Sequence, residues 1–244
     1  MARIALGLSY DGTEFVGWQA QPSGRSIEVA LAAAVAQVAN EPVTVHGAGR
    51  TDAGVHAEGQ VASARVTFAH DTATVVRAAN ALLPPEIRVL AVEDAAPAFH
   101  ARFGARARSY RYQIANTPVL SPFVRAYAWH VPEPLDAEAM REGAAALVGT
   151  HDFAVFQSKG SDVATTVRTL TRSTVVERGG LLAYEVEGTG FLRHMVRAIV
   201  GTLVDVGRGW RPISDVPTLL AGGTRAQAGA TAPAHGLTFV KVEY

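Results

Sequence analysis

The spacing of apolar residues in the first hundred positions alternates between the period of a strand and the period of a helix. "RIALGLSYDG" alternates or runs apolar into an Asp-Gly turn, and "PVTVHG", "GQVASARV" and "IRVLAVED" form further strand segments. Helices are predicted after Ser26, with Ile27, Leu31, Val35 and Val38 at helical spacing, and after Asp71 or Thr72, ending before Pro84-Pro85. The predicted order is β-α-β-β-α-β, a split arrangement.

The second half of the chain shows a similar order of elements. "RSYRYQI" and "RAYAWHV" are predicted strands, and Asp136 can cap a helix that carries Met140, Ala144 and Leu147. "TLTRSTVVER" and "LLAYEVEG" predict a hairpin around Gly179-Gly180, and "FLRHMVRAIVGTLVDVG" predicts an amphipathic helix. A short helix near 214–221 and a final strand, "LTFVKVEY", follow, whereas 157–166 and 222–235 are predicted loops.

These patterns predict an α+β protein of two similar split β-α-β halves, with a mostly antiparallel central sheet, helices on one face and a cleft between the halves. We expect an N-terminal half over 1–105 and a C-terminal half over 106–244. The similarity lies in the order of elements, since the two halves show no convincing sequence repeat.

Composition narrows the function classes. The chain has 244 residues with 48% hydrophobic and 18% charged residues, which indicates a globular protein. No apolar run reaches the ~18 residues of a membrane span, and polar residues follow the N-terminus too soon for a signal peptide, so we expect a soluble cytoplasmic protein. The absence of cysteine excludes disulfides, thiolate zinc sites and a thiol nucleophile. A net charge of zero neither favours nor excludes a polyanionic partner.

The segment "GAGRTDAGVH" at 47–56 suits neither a regular helix nor a regular strand. A dinucleotide-binding fingerprint is excluded because Asp52 occupies the position of its third glycine, and no P-loop lysine is present. "HAE" at 56–58 matches half of a nucleobase deaminase motif, but its cysteines are missing. His46, Asp52 and His56 lack the regular spacing of metal ligands.

The remaining candidate is Asp52 beside Arg50 on a glycine-rich loop. Burial alone would neutralise a carboxylate, whereas a guanidinium within ~4–6 Å favours its ionised form, in which it can act as a nucleophile or a base. The alternative is a salt bridge that only fixes the loop, and these two residues alone favour that interpretation, although they leave the catalytic one open.

The segment "GAGRTDAGVHA" resembles the signature of the tRNA pseudouridine synthase A family. "YDGTEFVGWQ", "FHARFGARARSYRY", "GTGFLRHMVRAIVG" and "TAPAHGLTFVKVEY" resemble further blocks of that family in the same order, so the resemblance covers essentially the whole chain. It implies isomerisation of uridine to pseudouridine at positions 38, 39 and 40 in the anticodon arm of tRNA. It also implies a homodimer, with no cofactor and no metal.

The resemblance also implies roles for individual residues. Asp52 matches the catalytic aspartate, acting as nucleophile or base. Arg50 matches the motif arginine, and Arg197 matches a second arginine that pairs with the same carboxylate. Tyr110 matches the active-site tyrosine, which can stack on the target uracil, while Tyr112 on the same strand face is expected to pack in the core.

The target base must leave its stack to reach Asp52, which costs a few kcal/mol. Phosphate contacts and a stacking ring must offset this cost, and the candidate basic residues are Arg102, Arg106, Arg108 and Arg168. Arg193 is expected to be a solvated or phosphate-binding surface residue. Arg193 and Arg197 are expected one helical turn apart. Two rival functions stay open: a non-catalytic RNA-binding module of the RRM type, although its RNP1 aromatics are missing, and a metal-assisted nucleic-acid hydrolase.

Overall fold

The computed structural model describes residues 2–158, 160 and 163–244. The predicted loop at 157–166 therefore lies partly outside the described residues. By its internal contacts the chain divides into two compact units, Met1–Arg106 with Thr238–Tyr244, and Ala107–Leu237. None of the described helices is long and apolar enough to cross a membrane.

The first unit has the predicted order of elements. They are β1 (Ala2–Tyr10), α1 (Ile27–Ala39), β2 (Val45–Gly47), β3 (His56–Val66), α2 (Thr72–Leu82) and β4 (Ile87–Ala95). The strand β1 pairs antiparallel with both β3 and β4, and β2 pairs antiparallel with β3. As predicted, the Asp71 carboxylate caps α2 by accepting from the Thr74 N–H at 2.9 Å.

The strands of the first unit have one buried face and one half-exposed face. Along β1, Ile4, Leu6 and Leu8 are buried, whereas the alternating Arg3, Ala5 and Gly7 are half-exposed. The buried side of the unit includes apolar residues of both helices, namely Ile27, Leu31 and Val35 of α1 and Val75 and Ala79 of α2. The apolar positions that alternate along the predicted strand are therefore the buried ones in the structure.

The second unit contains β5 (Ala107–Ala115), β6 (Trp129–His130), α3 (Ala137–Ala145), β7 (Gly149–Asp152), β8 (Val167–Arg178), β9 (Leu181–Gly188), α4 (Met195–Gly207) and α5 (Asp215–Leu220). Its strands pair in the order β5-β9-β8-β7, all antiparallel, and β6 runs parallel to β5. The β8–β9 hairpin turns at Gly179 and Gly180, whose φ angles are +58° and +78°, as a tight hairpin requires.

Two predicted boundaries in this unit were wrong. The expected strand "RAYAWHV" is reduced to β6, because the residues before it form turns, with the Tyr127 N–H donating to the Val124 carbonyl at 2.9 Å. The helix expected from residue 191 begins only at Met195, because His194 has a left-handed φ of +60°. Almost every residue of α4 is buried, so it is a central core helix rather than an amphipathic one.

The last strand, β10 (Leu237–Glu243), joins the first unit apart from its first residue. It runs parallel to β3, with Thr238 opposite His56 and Phe239 opposite Ala57. The chain is therefore an α+β protein with mostly antiparallel strand pairing, which confirms the predicted fold class. The expected boundary between 105 and 106 and the cleft between the halves stay predictions.

Candidate active site

The candidate active site starts from the loop between β2 and β3, residues 48–55, which we call the Asp52 loop. The Ala48 N–H still donates to the Val61 carbonyl at 2.8 Å, so the loop leaves the sheet only after that residue. It closes with a turn in which the Val55 N–H donates to the Asp52 carbonyl at 3.1 Å, and Gly54 has a φ of +77°. The Asp52 side chain is half-buried at this turn.

A buried glutamine on β3 is hydrogen-bonded to the backbone of the Asp52 loop. Gln60 of β3 is fully buried, and its side-chain amide donates to the Gly49 carbonyl at 2.7 Å and to the Tyr10 hydroxyl at 3.4 Å. That hydroxyl shares a hydrogen bond of 2.9 Å with the Thr51 hydroxyl. Burial raises the pKa of Tyr10 to about 12, so its hydroxyl keeps its proton at neutral pH. These three side chains fix the backbone that immediately precedes Asp52.

The segment after β1 holds the loop from a second side. The Trp18 N–H donates to the Thr51 carbonyl at 3.0 Å, and the Gly54 N–H donates to the Phe15 carbonyl at 3.3 Å. Two glycines permit this close approach. A Cβ atom on Gly17 would lie 2.6 Å from the Thr51 carbonyl oxygen. A Cβ atom on Gly12 would lie 2.0 Å from the carbonyl oxygen of Val55. Any larger residue at either position would displace the loop.

The His56 side chain, at the start of β3, is held by neighbouring protein groups. It is buried, and its Nδ1 lies 3.1 Å from both the Gly12 amide nitrogen and an Asp11 carboxylate oxygen. Nδ1 serves one of them at a time, accepting from Gly12 when unprotonated and donating to Asp11 when it carries a proton. Within the described part of the chain, no group of three or more His, Asp or Glu side chains could hold a metal ion.

Arg50 lies on the same loop as Asp52 but on its outer side. Its side chain is exposed. In water an ion pair between Arg50 and Asp52 would contribute little, because exposed ion pairs are typically worth no more than about 1 kcal/mol. The pairing of these two residues stays a prediction.

Tyr110 of β5 belongs to the second unit and is buried, with 8% of its surface exposed. Its ring meets Phe191 edge to face, with 4.9 Å between the ring centroids. Tyr112 is fully buried, and its hydroxyl donates to the Pro233 carbonyl at 2.8 Å, so it packs in the core as expected. Burial raises the pKa of Tyr112, and the charge of Arg197 partly opposes the rise.

Arg197 lies on α4, where it and Asp205 are the only positions not fully buried. Its Nε donates to the Ala232 carbonyl at 2.7 Å, and the Ala232 N–H donates back to the Arg197 carbonyl at 3.1 Å. These two hydrogen bonds between Arg197 and Ala232 fix the position of the guanidinium Nε. The expected spacing of Arg193 one helical turn before Arg197 was wrong, since Arg193 precedes the helix and is exposed.

The other basic candidates also have defined partners in the protein. The Arg108 side chain donates to the Thr189 carbonyl, the Arg106 side chain to the Tyr244 carbonyl, and the Arg168 side chain to the Thr165 and Val167 carbonyls. Partial burial lowers the pKa of Arg168. The Arg102 guanidinium lies over the Phe103 ring, 5.5 Å from its centroid. Their role as phosphate contacts stays a prediction.

Asp52 and Arg50 thus belong to the first unit, and Tyr110 and Arg197 to the second. Gln60, Tyr10 and Thr51 were not predicted from the sequence as part of the site. One signal was available, because alternation along "GQVASARV" places Gln60 on the same strand face as Ala62 and Ala64, where a polar residue needs a partner.

Comparison with known proteins shows similarity over the whole chain. A family model described as tRNA pseudouridine synthase matches residues 8–104 and 144–244. The chain is 45% identical to a protein named tRNA pseudouridine synthase A from Syntrophotalea carbinolica, over 100% of this chain and 97% of that protein. Proteins of the same name from Geobacter sulfurreducens and Pelobacter propionicus are 44% and 43% identical, and both alignments cover 100% of each chain.

Proposed function

The chain belongs to the tRNA pseudouridine synthase family, and from this premise we propose that Asp52 is the residue with which it converts uridine to pseudouridine in the anticodon arm of tRNA. The chain is an isomerase. The positions that we propose as substrates are 38, 39 and 40. RNA helices are bound mostly through backbone and shape, which would allow one site to accept three neighbouring nucleotides.

The reaction explains why a carboxylate is needed and why no cofactor is. The bond between ribose C1′ and uracil N1 breaks, the base rotates, and C1′ bonds to C5, after which C5 loses its proton and N1 gains one. All atoms of the nucleotide are retained and nothing is oxidised. An ionised Asp52 can attack as a nucleophile or remove the C2′ proton as a base, and both routes need its charge in a site with little water.

The observation that carries the proposal is the anchoring of the Asp52 loop. Two residues that precede Asp52 are hydrogen-bonded to buried side chains: Thr51 to Tyr10 of β1, and Gly49 to Gln60 of β3. Catalysis by positioned groups depends on such precision, because a misplacement of about 1 Å can reduce a rate about 10²-fold. The fully buried Gln60 bonds the backbone of this loop and so holds the residues before Asp52 in one position.

We assign the remaining site residues to supporting roles. Arg197, with its Nε held by Ala232, supplies a positive charge that pairs with the Asp52 carboxylate. Arg50 pairs with Asp52 once bound RNA covers the exposed side of the loop, since excluding water strengthens a charge pair. The Tyr110 ring stacks on the target uracil. These roles require the two pairs of residues to meet in one cleft.

The protein acts on tRNA as a cytoplasmic homodimer in this proposal, and it uses no metal. A two-fold symmetric dimer would let one tRNA contact both subunits. Sedimentation of the free protein and of its tRNA complex would measure the stoichiometry, and a complex with a single subunit would contradict the dimer.

One experiment tests the function. Unmodified tRNA is incubated with the protein and EDTA, and pseudouridine is mapped by selective chemical labelling and primer extension, because the isomerisation does not change mass. The parent protein is expected to modify positions 38, 39 and 40, whereas Asp52→Asn is expected to form no product. Asp94→Asn is the matched control, since Asp94 is an exposed carboxylate on β4.

The other outcomes identify the rival functions. Formation of pseudouridine by the Asp52→Asn variant would show that Asp52 is not required for the reaction. Cleaved RNA, or activity that disappears with EDTA, would favour a metal-assisted hydrolase. Binding of tRNA by the parent protein without any conversion would favour an RNA-binding module.

A further inference from the structure

Residues 99–104, "FHARFG", form a compact turn on the half-exposed face of the first unit. His46 of β2 lies opposite Ser63 of β3, so their side chains share one face of the sheet. The Ala101 N–H donates to the Ser63 hydroxyl at 3.1 Å, which places the turn on that same face. The Tyr244 hydroxyl donates to the Ala101 carbonyl at 2.9 Å, so the turn is also fixed by the C-terminal residue.

Three rings follow one another across this surface, and we call them the ring stack. The rings of His46 and His100 are nearly parallel, at 21°, with centroids 5.2 Å apart. The ring of Phe103 follows at 4.4 Å from His100. Phe103 ends the stack and is 77% exposed. The Phe103 ring is inclined by 44° to the His100 ring and has the Arg102 guanidinium over it, 5.5 Å from its centroid, while its exposed surface leaves room for a further planar group.

The charges around the ring stack are basic. The charged groups near enough to act on the His100 ring are His46, Arg3 and Arg102. Burial is the largest cause that lowers the pKa of His100, and these neighbouring charges add to it, which favours a neutral ring at neutral pH. An aromatic surface beside two guanidinium groups suits a ligand that combines a flat base with phosphate.

We propose that Phe103 binds an unpaired base of the substrate tRNA by stacking, with Arg3 and Arg102 providing the positive surface for the adjacent backbone. This inference rests on the proposed function, since it takes tRNA as the ligand. RNA-binding proteins commonly hold unstacked bases on aromatic side chains. The surface also continues into the active site, because β2 carries His46 and leads directly into the Asp52 loop.

The test measures the equilibrium binding of unmodified tRNA to the full chain in an Asp52→Asn background. Phe103→Ala is expected to raise the Kd about 5- to 150-fold, the range observed for the loss of one base-stacking ring. Phe103→Trp keeps an aromatic surface and should bind within about twofold of the background protein. Phe123→Ala removes an equally exposed phenylalanine, 89% exposed in the second unit, and should leave the Kd unchanged.

An unchanged Kd for Phe103→Ala would overturn the inference. If the free Phe103→Ala protein also changed its sedimentation coefficient, Phe103 would be a contact between subunits instead. Conversion of the same tRNA by the parent protein is assayed in parallel, so a failure of the proposed function, which would abolish conversion, is distinguished from a failure of the stacking site.

Discussion

The Asp52 loop and the segment 117–127 are both irregular, but they are held in different ways. The Asp52 loop is fixed by partners that are distant in sequence, such as Tyr10, Trp18 and Gln60. Most of the described hydrogen bonds of 117–127 join near neighbours, as when the Val124 N–H donates to the Ser121 carbonyl at 3.2 Å, although the Thr117 carbonyl also bonds the His130 ring at 2.8 Å. Phe123 of this segment is 89% exposed.

The difference shows how a loop can hold a reactive group in place. A segment without a regular ladder must satisfy its backbone groups elsewhere, and the Asp52 loop does so through buried side chains of neighbouring strands. Its position is therefore coupled to the core of the first unit. The described bonds of 117–127 are mostly local, so we expect its position to depend less on the core and substitutions in the two loops to have different effects.

The largest effect is expected from Gly12→Ala, which directly displaces the end of the Asp52 loop. The added Cβ atom would lie 2.0 Å from the Val55 carbonyl oxygen, so the backbone must shift. We expect the free energy of unfolding, measured in urea, to fall by about 3 kcal/mol or more, with loss of pseudouridine formation. Gly7→Ala is the control, since its nearest neighbour would be 3.8 Å away. Equal stability of the two variants would contradict the prediction.

Gln60→Leu should have the next largest effect. It keeps a similar volume but leaves the Gly49 backbone groups and the Tyr10 hydroxyl without the glutamine amide. Buried polar groups that lose their partners destabilise by about 1–3 kcal/mol each, so we expect a total loss of about 2–4 kcal/mol in urea unfolding. In the matched variant Gln21→Leu the side chain is exposed, and a change within about 0.5 kcal/mol is expected. Similar losses of unfolding free energy in both variants would show that the buried hydrogen bonds of Gln60 do not contribute to stability.

High pH should weaken the same network. Burial raises the pKa of Tyr10 to about 12, whereas an unfolded tyrosine titrates near pH 10. Its contribution is therefore complete below pH 10 and is lost as the pH rises toward 12, because only the unfolded chain releases the proton. Tyr10→Phe should reduce the decline of the unfolding free energy by about 1 kcal/mol per pH unit over this range. Parallel declines in the two proteins would exclude this role for Tyr10.

Thr51→Val should change catalysis more than stability. It removes the hydroxyl that bonds Tyr10, at a cost of about 1 kcal/mol, directly before Asp52. We expect the single-turnover rate at saturating tRNA to fall roughly tenfold with an unchanged Kd, because Asp52 loses part of its alignment. Thr51→Ser should restore the rate. Thr117→Val, which removes a hydroxyl bonded to the Val119 carbonyl in the other loop, should not alter it. A single-turnover rate of Thr51→Val equal to that of the parent protein would show that the Thr51 hydroxyl does not contribute to catalysis.

The smallest effect is expected from Phe123→Ser. The side chain is almost fully exposed, so the substitution buries nothing and uncovers nothing. We expect the melting temperature and pseudouridine formation to match those of the parent protein, with a change in stability within about 0.5 kcal/mol. A drop of several degrees would mean that this segment is packed against another surface, such as a second subunit.

Local patterns in the sequence were sufficient for most elements, because strands and helices with one buried face repeat their apolar residues at a fixed period. The boundaries failed where a backbone conformation or a local turn replaced the expected pattern, as at His194 and before Trp129. For the candidate site, the sequence pointed to Asp52 through its motif. It did not indicate Gln60, whose role depends on which face of β3 lies beneath the loop.

By itself the sequence determined the α+β class and the order of elements in the first unit, which follow from local periodicity, and its motif pointed to Asp52 as the candidate acidic residue. Only the tertiary structure decided that the C-terminal strand β10 lies parallel to β3 in the first unit, and that Tyr10, Thr51 and Gln60 meet under the Asp52 loop. The physical reason is that strand pairing and buried hydrogen bonds join residues far apart in the chain. Their partners are chosen by the packing of the whole unit rather than by neighbouring residues.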